Sequence, residues 1–163
     1  MTPLFTTKTV YSEREYVAFT MTALRHNPDY WRNMGAGYLL LTACAIYGLV
    51  SGRAYLSVAS ILAVPLFAFL WKWALHRRIK RVYGTNRRLQ DMESAFSLYE
   101  DRFEEVYPDG ALTVSYGELY KIYETKTNVY LMLGAEQGSI LVKESCSKEL
   151  LTFLRKVKEQ YGL

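Results

Sequence analysis

Met34 to Val50, MGAGYLLLTACAIYGLV, runs for 17 residues without a charge, and Ala54 to Trp71, AYLSVASILAVPLFAFLW, for 18. Only Ser51, Gly52 and Arg53 separate them. A bilayer core about 30 Å thick takes roughly 20 helical residues at ~1.5 Å each. The second run reaches that length with Lys72-Trp73-Ala74-Leu75 added. Tyr30 and Trp31 extend the first into the headgroup zone, where aromatic rings are favoured. A buried helix of a soluble protein shows a polar stripe, whereas the polar residues inside these runs are Ser, Thr and Tyr. A three-residue connection forces the two helices antiparallel, so a transmembrane helical hairpin is expected over residues 34–75. Gly35, Gly37 and Gly48 on one helix and Ser57, Ala59 and Ser60 on the other would allow close approach. Pro65 predicts a bend in the second helix.

Charge is distributed unevenly around this hairpin. Residues 1–71 carry five basic and three acidic side chains, residues 72–90 seven basic and no acidic, and residues 91–163 eight basic and thirteen acidic. Lys and Arg accumulate on the cytoplasmic side of membrane helices. The turn offers Arg53 alone, while Arg25, Arg32 and the seven basic residues flank the other ends, so both termini are expected to face the cytoplasm in a multi-pass protein of the cell membrane. The first apolar run starts only at Met34 behind an amphipathic leader, so no cleavable signal peptide is expected. Residues 76–90 read as a basic cytoplasmic connector. Trp31, Lys72, Trp73, Arg77, Arg78, Lys80 and Arg81 are the candidate membrane-interface residues. Their partner is a bilayer with anionic headgroups, where each cation is worth about 1 kcal/mol. A nucleic-acid arm would not need to begin where an apolar helix ends, and no nucleic-acid partner is expected.

Outside the hairpin, residues 1–33 read as a strand at Leu4 to Val10 and an amphipathic helix from Glu13 towards Arg25. Ser12 and Glu15 have the spacing of a capping box, and Asn27-Pro28-Asp29 ends the helix. Ala95 to Tyr107 shows alternating apolar positions, and Pro108-Asp109-Gly110 is a turn. Leu112 to Tyr116, Leu119 to Glu124, Asn128 to Gly134 and Ser139 to Lys143 then read as an antiparallel meander with short joints. Ser147 to Tyr161 is an amphipathic helix with Leu150, Leu151, Phe153, Leu154 and Val157 on its apolar face. The expected fold class is an α+β membrane protein. Its hairpin is attached to a bent antiparallel sheet over 91–163, capped by a C-terminal helix in the outline of a pleckstrin-homology-like (PH-like) domain.

Ser115 to Glu159, SYGELYKIYETKTNVYLMLGAEQGSILVKESCSKELLTFLRKVKE, resembles the YcxB-like family of bacterial membrane proteins. In that family an aromatic residue commonly precedes a hydrophobic I-x-x-I/V-x-E strand. Here Tyr116 takes the aromatic place, and Val142-Lys143 stands where Pro-Lys is usual. The resemblance extends to the early strand and helix, the hairpin and the basic connection. It implies two transmembrane helices with a PH-like cytoplasmic module at the bacterial inner membrane. It also implies that the N-terminal strand joins the sheet with the hairpin inserted after it. It implies no particular activity.

Catalytic chemistry finds little footing. His26 and His76 lack metal-spaced partners, and Cys44 and Cys146 suit a reducing compartment. Cys146 starts the last helix, where the dipole would lower a thiol pKa, but an ordinary thiol is the simpler reading. Glu100, Asp101, Glu104 and Glu105 alternate along a strand and read as a solvated edge. No phosphate-cradling glycine loop or nucleophile elbow is present. The expectation is therefore a non-enzyme without cofactor or metal: a membrane-anchored binding or scaffolding protein that recruits an unknown protein or peptide, with a second copy of the chain as a further partner. Tyr116, Tyr120, Tyr123 and Tyr130 are the candidate partner contacts. The alternative is a small transport or pore component made of oligomerised hairpins, with Thr42, Tyr47, Ser57 and Ser60 as its polar lining.

Overall fold

The structure is a computed structural model that describes residues 2–87 and 90–163. Arg88, counted above in the basic segment, lies outside the described residues. The chain divides into two compact units, one from Met1–Ala23 with Tyr83–Leu163 and the other from Leu24–Val82.

The first unit begins with strand β1, Phe5–Tyr11, whose alternating residues Thr7, Thr9 and Tyr11 point inward. Helix α1, Glu13–His26, follows and buries Val17, Phe19 and Ala23 within the unit. Glu15 N–H donates to Ser12 Oγ, one half of the expected capping box. The reciprocal half is absent, because Ser12 N–H donates to Val10 O and the Glu15 carboxylate takes the Asn128 side-chain amide.

After the helical unit the chain returns as β2, Met92–Leu98, β3, Arg102–Tyr107, and β4, Gly110–Ser115. The Ala95 to Tyr107 stretch is thus a hairpin, closed where Tyr99 N–H donates to Arg102 O. β1 pairs antiparallel with β2 from Phe5↔Leu98 to Tyr11↔Met92, so the first sheet has the order β1-β2-β3-β4. A 3-10 turn at Tyr116–Glu118 leads to β5, Lys121–Glu124, β6, Asn128–Met132, and β7, Gly138–Val142, a second antiparallel sheet. The expected single bent sheet is therefore two sheets of four and three strands, split at that turn. β6 is buried at every position, so its side chains pack on both faces. Helix α4, Lys148–Tyr161, is capped by Ser147 Oγ, which accepts from Leu150 N–H, and ends at Gly162 in the left-handed conformation.

The main core of this unit joins Phe96, Leu98 and Phe103 of the first sheet to Leu131 and Leu141 of the second and to Leu150 and Leu154 of α4. A smaller cluster sets Phe19 of α1 edge-on to Tyr130 at 5.4 Å, beside Tyr11, Met132 and Ile140. Each buried aromatic or leucine removed here would cost about 2–5 kcal/mol.

The second unit holds two long helices, α2, Pro28–Val50, and α3, Ala54–Thr85, whose last turn belongs to the first unit. Asn27, expected to end a helix, also starts one: its Oδ1 accepts from Asp29 N–H, and Pro28 occupies the first turn. α2 therefore begins six residues before Met34. α3 runs through Pro65 and past residue 75, because His76 to Val82 contains no glycine or proline and is rich in Arg and Lys, good helix formers. The two helices meet closely at Gly48, where a Cβ would lie 2.6 Å from Ser57 Oγ and 2.8 Å from Ser57 N. Ser57 Oγ donates across to Ala45 O at 2.7 Å.

Candidate functional site

Both helices are long and apolar enough to cross a membrane, and only 6% of each apolar window is buried. Leu39, Leu49, Val50, Ile61, Leu62 and Phe69 are all more than three-fifths exposed. A core helix of a soluble protein would hide such residues, so the surface needs an apolar solvent or partner.

The sequence-predicted interface residues occupy the ends of this apolar surface. Trp31 is 54% exposed, and its Nε1 donates to Arg25 O at 2.7 Å. Lys72 and Trp73 lie exposed on α3, and the Arg77 guanidinium stacks 4.1 Å above the Trp73 ring, a cation–π contact. Arg77, Arg78, Lys80 and Arg81 are exposed on the same continuous helix, and Ile79 between them is buried. At 100° per residue their cations fan around the helix and leave one apolar side.

The four tyrosines divide. Tyr116 is fully buried in the core, with its O–H donating to Tyr99 O, and burial pushes its pKa up. Tyr130 is 1% exposed against Phe19, and its pKa is likewise raised by burial. Neither offers surface to a partner, because Tyr116 turns into the main core at the 3-10 turn and Tyr130 lies on β6, which is covered on both faces. Tyr120 is 53% exposed and Tyr123 half-buried, so of the four only these two present surface. Tyr120 immediately precedes β5 and Tyr123 lies within it; among the described residues this strand pairs with β6 alone, on one edge.

The acidic cluster also divides. Glu105 is 4% exposed; it accepts from Tyr11 O–H at 2.8 Å and from Ser139 O–H, while the Tyr11 oxygen accepts from Ile140 N–H. It is an interior link between β3, β1 and β7, not part of a solvated edge. Burial, then the neighbouring Glu105 charge, pushes the Tyr11 phenol pKa up. The signal for this link lay in the inward register of Phe103 and Glu105, visible only with the strand ends known.

Cys146 is half-buried, its Sγ donates to Val142 O, and burial pushes its pKa up. That is opposite to the shift an attacking thiolate needs. Among the described residues, no three His, Cys, Asp or Glu side chains converge as metal ligands. Of the polar residues a pore would use, Ser57 and Ser60 are buried and Thr42 Oγ1 donates back to Tyr38 O.

The chain is thus an α+β protein carrying two helices of membrane-crossing length and composition. The family model described as YcxB-like protein matches residues 98–157, from the end of β2 into the last turns of α4, and shows the resemblance over that segment. No curated protein and no solved structure matches the chain.

Proposed function

We propose that α2 and α3 form a transmembrane hairpin that anchors a PH-like binding domain at the cytoplasmic face of the bacterial inner membrane. The single observation that carries this reading is the exposed apolar surface of both helices, bounded by Trp31, Trp73 and the cations from Lys72 to Arg81. Four strands, three strands and a closing helix follow the order of a PH-like domain. The first unit carries twelve basic and fifteen acidic side chains, a balance suited to a protein or peptide partner more than to a polyanion. The recognition surface is the free edge of β5 with Tyr120 and Tyr123, where an extended segment would add as a strand. A photo-crosslinking residue placed at Tyr120 of the full-length protein in cells tests this. The expected product is one partner captured at Tyr120 and lost when Lys121 and Tyr123 are both replaced by Ala. A Tyr120 probe that captures no more than one at exposed Thr113 on β4 would contradict it.

A further inference from the structure

The helical unit contains a cavity of about 630 Å³ lined by two cations, Arg25 and Lys72. Ligand pockets span about 300–1,000 Å³. No acidic side chain lines it, and neither cation has a carboxylate partner among the described residues. Asp29, the nearest acid in sequence, pairs instead with Arg32 at 3.1 Å. Tyr30 and Trp31 form an aromatic wall, edge to face at 5.3 Å, and the Trp31 bond to Arg25 O holds the indole beside the arginine. The remaining wall is apolar, with Met34 and Phe69. Beyond it the same helices expose Leu39, Leu66 and Leu70.

We propose that this cavity binds one anionic phospholipid, its phosphodiester between Arg25 and Lys72 and its acyl chains along the exposed apolar surface of α2 and α3. Two unpaired cations facing one cavity call for an anion, and an apolar wall beside them calls for a ligand that continues as hydrocarbon. A soluble phosphate would satisfy the cations and leave Met34 and Phe69 wet. Cationic pockets between membrane helices on the cytoplasmic side recognise such headgroups. The inference rests on the membrane reading above and adds to it a specific lipid.

The full-length protein in detergent, titrated with dioleoylphosphatidylglycerol, dioleoylphosphatidylcholine or inorganic phosphate and observed by native mass spectrometry, tests it. One phosphatidylglycerol is expected per chain, bound about tenfold or more tighter than phosphatidylcholine. The double substitution Arg25→Gln/Lys72→Gln should weaken it by about 25-fold, at roughly fivefold per cation. Arg25→Lys/Lys72→Arg should retain it, as should Lys126→Gln/Lys156→Gln, which removes the same charge elsewhere. Equal binding by the Arg25→Gln/Lys72→Gln protein, or equal binding of phosphatidylcholine, would overturn the site while leaving the anchor standing. Displacement of the lipid by millimolar inorganic phosphate would overturn the lipid as ligand. A chain that stays monomeric in water without detergent would overturn the anchor and the lipid site together.

Discussion

A carboxylate 4% exposed is costly unless its lone pairs are used, and Glu105 uses them on Tyr11 and Ser139. Those partners lie 94 and 34 residues away in sequence, which is why a local pattern placed Glu105 with its exposed neighbours. Glu124 has the opposite character. Arg155 grips its carboxylate with two N–H groups at 2.7 and 3.1 Å, and Lys143 donates at 2.7 Å, tying β5 to α4. The Arg155 hydrogen bonds, then that of Lys143, hold its pKa at about 2 against an ordinary 4.5. A lowered folded-state pKa contributes stability that is complete above the unfolded value and is lost as pH falls through the folded one. Glu124→Gln should therefore lower the thermal midpoint at pH 7, and the gap from the parent protein should close between about pH 4.5 and 2. Thermal unfolding at pH 7, 4 and 2.5 checks it; an equal gap at every pH would show that the charge is not responsible.

Among elements, the long helices were the most legible, because two charge-free runs and a three-residue joint leave one local solution. Their ends were less so. Tyr30, Trp31 and the basic residues to Thr85 are helical because nothing breaks the backbone there, while hydropathy stops at the first charges. The strands of the matched segment could be read from turn residues, but the break into two sheets at Tyr116–Glu118 depends on Tyr116 being drawn into the core. That same pull removed Tyr116 from the candidate contacts. Glycines in α2 give a test at this scale. A Cβ at Gly48 would strike the Ser57 backbone, which cannot rotate away, whereas one at Gly35 meets nothing within 4 Å. Gly48→Ala should destabilise the helix pair by about 1–3 kcal/mol. Gly35→Ala should be neutral or stabilising by up to about 1 kcal/mol, the ordinary helix preference. Thermal unfolding of both proteins in detergent separates the two; equal effects would mean that the helices do not approach at Gly48.

For the molecule as a whole, the decisive fact is that β1 precedes the two long helices and β2 follows them, yet they pair over seven residues. The helical unit is an insertion within a folded unit that its two flanks complete. Local sequence could suggest a strand at Leu4 to Val10 but not its partner; the family resemblance supplied that. The family model itself matches only residues 98–157, so the helices rest on their own physics: apolar surface exposed on both, with cations at one end. Under the proposed anchor the Ser51–Arg53 turn faces outward and the strands face the cytoplasm. Single cysteines at Ser51 and Glu136, in a chain otherwise cleared by Cys44→Ala and Cys146→Ala, measure this with a membrane-impermeant maleimide. The account predicts labelling of Ser51→Cys in intact spheroplasts and of Glu136→Cys only after lysis; labelling of both before lysis, or recovery of the chain in the soluble fraction, would contradict it.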